Sequence, residues 1–193
     1  MDIGIIQQKA EEMRILNLAV MKDGELLLKK DWDEEIRRNQ YSASKSFTGI
    51  AVGIAQKEGL LELNEKLCDI FREEMPENPS ENLCSATVKD LLTMCLGQDS
   101  GYLMGVQRPL MKEMDWVRYT LSRPFTQKPG TSFLYNNAGP YLAGILVQRR
   151  SGCDLVNYLM PRLFEPLGIR RPVWETDPYG YTFGAGGLFL CVT

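Results

Sequence analysis

The stretch Tyr41-Ser42-Ala43-Ser44-Lys45 holds three groups able to do chemistry, and their spacing allows two different reactions. Read as Tyr41-x-x-x-Lys45, with Thr48-Gly49-x-x-x-Gly53 behind it, the stretch offers a phenol and an amine for moving hydride to or from a nicotinamide. Read as Ser42-x-x-Lys45, it offers a hydroxyl and an amine one helical turn apart, as a serine nucleophile and its base would be. A serine attacks only when something removes its proton, and a lysine does so only when its ammonium is destabilised by burial or by the positive end of a helix. This second reading expects Lys45 to be dry and uncharged, and the Ser42 backbone N–H to face a developing oxyanion.

A second pattern, Tyr135-x-Asn137, follows after the turn residues Pro129-Gly130 and leads into a helix. A tyrosine hydroxyl relays the serine proton to a leaving group when a nearby amine lowers its pKa, and an asparagine holds that amine or a substrate carbonyl. From the Ser, Lys, Tyr and Asn content, roughly 0.5 accidental Ser-x-x-Lys and roughly 0.3 accidental Tyr-x-Asn matches are expected, so neither pattern decides alone. The chain has no histidine. Ser-His-Asp and Cys-His systems and the usual histidine-containing zinc sites are therefore excluded, and no metal or other cofactor is implied.

The elements that must position these groups come from patterning. Residues 15–21 and 25–30 are apolar runs flanking Lys22-Asp23-Gly24, a hairpin signal, with an amphipathic helix at about 4–13 ahead of them. From Ser44 to Glu58, Phe47, Ile50, Ala51, Ile54 and Ala55 recur at helical spacing, and Gly59 is placed to end the helix. Further helices are expected over 87–96, 109–121, 137–150 and 153–164, the last two parted by Ser151-Gly152. The 193 residues, 44% hydrophobic and 24% charged, suit a single domain over 1–193, and no repeat or linker divides them. With 22 basic against 25 acidic residues and the basic ones scattered, no nucleic-acid partner is indicated. No apolar run is long enough to cross a bilayer, so no membrane partner is expected. The start lacks the layout of a signal peptide, and five cysteines without a Cys-x-x-Cys suit a reducing compartment, so a cytoplasmic location is expected.

Order along the chain separates the two chemistries. Asn136-Asn137-Ala138-Gly139 gives the hydride reading a third match, to the N-N-A-G segment of short-chain dehydrogenases. In that family the glycine motif comes first, at a strand-to-helix turn where bare backbone meets the cofactor phosphates. Here Gly49 and Gly53 lie inside the helix that starts at the Tyr-x-x-x-Lys segment, and N-N-A-G comes last. One helix cannot hold both the catalytic tyrosine and the phosphate turn.

The whole chain resembles the serine β-lactamase and penicillin-binding-protein superfamily, nearest the branch with class C β-lactamases, D-alanyl-D-alanine peptidases and related esterases. The resemblance runs in order through "LAVMKDGELLLKK", "YSASKSFTGIAVGIAQKEGLLELNEKL", "TVKDLLTMCLG", "PGTSFLYNNAGPYLAGILVQRRSG", "YLMPRLFEPLGI" and "GAGGLFLCVT". It implies an α+β, β-lactamase/transpeptidase-like fold, mostly helical with an N-terminal β-hairpin. It also implies Ser42 as the acylated nucleophile, Lys45 as its base partner, Tyr135 as the proton relay and Asn137 as a substrate- and lysine-orienting group, with Gln98 to Tyr102 bordering the cleft.

One departure stands out. The family's third motif, Lys-Thr-Gly or His-x-Gly, on a strand that supplies the second oxyanion donor, does not occur here. The expectation is an N-terminal portion of a longer hydrolase, with the C-terminal sheet strands missing and an unpaired hairpin edge that invites homo-oligomers. Three functions are weighed: a cytoplasmic serine hydrolase acting on small esters or amides; a β-lactamase or D-alanyl-D-alanine carboxypeptidase; and a catalytically impaired binding or scaffold protein.

Overall fold

Asp23 and Gly24 both have left-handed backbone, φ 51° and 83°, which lets a two-residue turn follow the right-handed twist of its strands. In the computed structural model, which describes residues 2–192, they join β1 (Asn17–Lys22) to β2 (Glu25–Asp31). The pairing is antiparallel, Asn17 opposite Asp31 and Lys22 opposite Glu25, with one irregularity between Val20 and Met21. Helix α1 (Ile3–Glu12) precedes them and starts at Asp2, whose carboxylate accepts the Ile5 N–H. With β3 (Arg38–Asn39), in which Asn39 pairs with Phe189 and Arg38 with Leu190, these segments form one of two compact units.

Residues 40–188 form the other, which is mostly helical. It holds α2 (Ser44–Lys57), α3 (Leu67–Ile70), α4 (Glu81–Ser85), α5 (Val88–Thr93), α6 (Trp116–Leu121), α7 (Ala138–Ser151) and α8 (Leu155–Leu159). A π-helical turn, Met160–Phe164, prolongs α8. Every residue of α7 from Ala138 to Gln148 is buried, the mark of a helix surrounded by protein on all sides. Helix α2 packs on it through the face carrying Thr48, Ala51, Val52 and Ala55. Helix α5 packs on its first turn, where a Cβ on Gly139 would fall onto the Leu91 carbonyl oxygen. Beside α7, Trp116, Tyr141 and Phe183 form a cluster of rings, and Tyr141 donates to Asp177 at 2.6 Å. The fold is α+β, completed by two short strands, β4 (Val173–Trp174) and β5 (Leu188–Leu190).

Two helices are shorter than the sequence pattern predicts. Helix α5 stops at Thr93 because Met94 turns left-handed, φ 55°, ahead of Gly97. The run 109–121 is α-helical only from Trp116: Arg108–Leu110 is a 3-10 turn containing Pro109, and Asp115 caps α6 by accepting the Arg118 N–H at 2.8 Å.

Candidate active site

A 3-10 turn, Tyr41–Ala43, leads into α2. Tyr41 is left-handed, φ 45°, a conformation unfavourable for a side chain with a Cβ by about 1–2 kcal/mol. The Ser44 hydroxyl holds this turn in place, donating to Tyr41 O at 2.6 Å while accepting the Leu188 N–H at 3.2 Å. Ser42 and Lys45 then lie one turn apart, and Lys45 Nζ donates to Ser42 Oγ at 3.0 Å.

Tyr135 reaches the same hydroxyl from a distant loop: its Oη is 2.6 Å from Ser42 Oγ, and Lys45 Nζ stands 5.1 Å from its ring centroid. Burial alone would push the Tyr135 phenol up. The hydrogen bonds from Ser42 and Lys45, with the lysine's positive charge, outweigh it and hold the phenol below its ordinary value. Lys45 is half-buried rather than fully dry, and its Nζ has a second acceptor, the Ala185 carbonyl, at 2.6 Å.

Asn137, two residues after Tyr135, has its amide nitrogen on a partner other than Lys45. Its Nδ2 donates to Leu103 O at 2.9 Å and its backbone N–H to Tyr102 O at 3.2 Å, while its Oδ1 is buried without a hydrogen-bond partner. Asn136, unspecified in the Tyr-x-Asn pattern and first in N-N-A-G, has a structural role. It is 2% exposed and ties the loops together: Oδ1 accepts from Tyr102 N–H and Ala138 N–H, both at 2.9 Å, and Nδ2 donates to Gln98 Oε1 at 2.7 Å. Gln98 in turn donates to Thr120 O at 2.9 Å, and a Cβ on Gly101 would fall 2.9 Å from Tyr135 O. The segment from Gln98 to Tyr102 therefore backs the Tyr135 loop.

The remnants of the hydride pattern have structural roles. Gly49 and Gly53 lie within α2 with nothing near their missing side chains, Asn136 is a loop tie, and Gly139 is a close-packing position. Among the described residues, no group of His, Cys, Asp and Glu is clustered to hold a metal ion, and no helix is long and apolar enough to cross a membrane.

Comparison with known proteins gives the family and the fold. The model of the Beta-lactamase family matches residues 4–186. The chain belongs to the Beta-lactamase family. Protein flp of Staphylococcus aureus (strain MW2) is 24% identical to it over 190 residues, covering 90% of this chain and 37% of that protein. A D-aminopeptidase of Brucella anthropi is 25% identical over 179 residues, 83% of this chain and 32% of the relative. Among solved structures, the octameric penicillin-binding protein homologue from Pyrococcus abyssi superposes with TM-score 0.74 at 24% identity, over 100% of this chain and 54% of that one. A class C β-lactamase mutant superposes with TM-score 0.72 at 15% identity, over 97% and 60%. This Beta-lactamase family chain thus has the β-lactamase/transpeptidase-like fold and spans well under half the length of the two sequence relatives.

Proposed function

We propose that this chain carries the acylation machinery of a serine hydrolase that acts on small esters or amides through an acyl-serine. The observation that carries the reading is one hydroxyl, Ser42 Oγ, lying 2.6 Å from Tyr135 Oη and 3.0 Å from Lys45 Nζ. Tyr135, its phenol already pulled down, takes the Ser42 proton while Lys45 balances the phenolate charge. Ser42 Oγ bonds to the acyl carbon, the leaving group departs with the proton held by Tyr135, and water reverses the sequence to release the acid. The Ser42 N–H, in the turn that leads into α2, is the oxyanion donor in this scheme. Asn137 is the substrate-orienting group, its buried Oδ1 being the unused acceptor.

Family membership and the similarity to a D-aminopeptidase support the hydrolase class. The superposition on a class C β-lactamase favours a second reading, a β-lactamase or D-alanyl-D-alanine carboxypeptidase. Cys68, Cys84, Cys95 and Cys153 are free thiols, in keeping with a cytoplasmic setting. The octameric relative supports homo-oligomers.

Incubation with a fluorophosphonate and with a fluorescent penicillin, followed by intact mass, tests the reading, with Ser42→Ala as the control. A fluorophosphonate adduct lost in Ser42→Ala is expected. A penicillin adduct on Ser42 would transfer the assignment to the second reading. Absence of any adduct would leave a binding or scaffold protein.

A further inference from the structure

The Ala185 carbonyl that holds Lys45 Nζ lies in the middle of a short strap, residues 183–187, whose two ends are tied to one residue. The Glu175 N–H donates to Gly187 O at 2.9 Å, and Glu175 O accepts the Phe183 N–H at 2.8 Å. Within the strap, the Ala185 N–H closes a tight turn onto Phe183 O at 2.7 Å, and Trp174 Nε1 donates to Gly186 O at 2.8 Å. From α2, Thr48 Oγ1 donates to Gly184 O at 2.7 Å.

The Glu175 side chain adds a contact that backbone pairing does not require. It lies so close against Gly187, φ 74°, that a Cβ there would fall 2.5 Å from Glu175 Oε2. That same oxygen accepts from Arg108 Nη1 at 3.0 Å, and the Arg108 guanidinium lies over the Phe183 ring, 4.1 Å from its centroid. One ion pair therefore grips the strap at both ends, Arg108 on Phe183 and Glu175 on Gly187. Arg108 comes from the turn just after Tyr102 and Leu103, whose carbonyls hold Asn137. Its Nε is buried without a partner, a cost that favours reading the guanidinium as placed for geometry.

We propose that Arg108 and Glu175 are positioning residues of the Ser42 site: they fix the Ala185 carbonyl and through it Lys45 Nζ, and they join the loop that holds Asn137 to the strap that holds Lys45. Neither residue bonds to Ser42 or Tyr135. The inference rests on the acyl-serine reading above for its meaning, and its test includes a measurement that needs no turnover.

The variants are Arg108→Met, Glu175→Gln and the charge-keeping Arg108→Lys. In each, the Tyr135 phenol is titrated through its ¹³Cζ NMR signal, assigned with Tyr135→Phe, and the rate of fluorophosphonate labelling is followed against pH. The groups facing the phenol are Ser42 Oγ and Lys45 Nζ. Release of Lys45 therefore moves the Tyr135 midpoint upward, toward the ordinary value of about 10. Arg108→Met and Glu175→Gln are expected to show that rise and to label ~10–100-fold more slowly, the scale of a reacting group displaced by about 1 Å; Arg108→Lys recovers part of both. Should Arg108→Met fail to fold, Glu175→Gln, nearly the same shape, carries the same test. A Tyr135 midpoint and a labelling profile unchanged in folded variants would overturn the proposal. A wild-type chain inert to the probe, whose Tyr135 midpoint still moves with the variants, would overturn the hydrolase reading and keep the positioning one.

Discussion

The two halves of the Ser42 site are built by different means. Ser42, in the 3-10 turn Tyr41–Ala43, and Lys45, in the first turn of α2, are three residues apart, so their 3.0 Å approach is set by local backbone geometry. Tyr135 and the Ala185 carbonyl arrive from 93 and 140 positions away and are held by bonds from several segments, among them the side chains of Asn136, Thr48 and Ser44 and the backbone of Glu175. The local half needs α2 and the turn that Ser44 holds against it, whereas the loop half needs ties from several distant segments. Damage to the site should therefore come more readily from the loop side.

The largest expected effect is on the loop side itself. Tyr135→Phe should slow acylation by ~10²–10⁴, the range for a lost general base, and abolish the rising limb of the pH profile. In the wild-type chain that limb follows the phenolate. Protonation below the lowered Tyr135 pKa switches the base off, so labelling should rise with pH and level off below the ordinary tyrosine value of about 10. A wild-type profile still rising at that value would break the assignment.

Asn136→Ala comes next. It strips acceptors from Tyr102 N–H and Ala138 N–H and removes the donor to Gln98 Oε1, so a loss of about 2–3 kcal/mol in urea unfolding is expected. Labelling should fall as Tyr135 drifts from Ser42. Equal labelling in a folded Asn136→Ala chain would show that the loop needs no such tie. The smallest effect is expected for Asp90→Ala. Asp90 caps α5 by accepting from the Thr87 N–H at 2.8 Å and hydroxyl at 2.6 Å, and its removal should cost about 1 kcal/mol with labelling unchanged.

The same division governs what the sequence could reveal. The hairpin was legible because Asp-Gly between apolar runs has one cheap geometry, and α2 because its apolar spacing survives burial on one face. The pairing of Ser42 with Lys45 was legible for the same local reason. Tyr135 could be singled out only as a pattern with a matching order, since nothing in residues 130–137 encodes which helix the ring will face. Asn136 stands in the sequence only as the first residue of N-N-A-G and as the unspecified position of Tyr-x-Asn, and neither pattern encodes the loop segments that its side chain ties together. The early stop of α5 was hidden because Met94 adopts a left-handed turn that its side chain does not announce. Expecting a dry Lys45 overlooked the strap, whose glycines at 184, 186 and 187 were the only trace of a backbone segment passing close to α2.

That second partner of Lys45 is main chain, with a consequence for how the site can drift and be probed. Replacing Ala185 with any residue that fits leaves the oxygen where it is, so an alanine scan would walk past it and random mutation has no direct way to delete it. Only atomic editing of the backbone, such as an ester in place of the 185–186 amide, would weaken it while sparing every side chain.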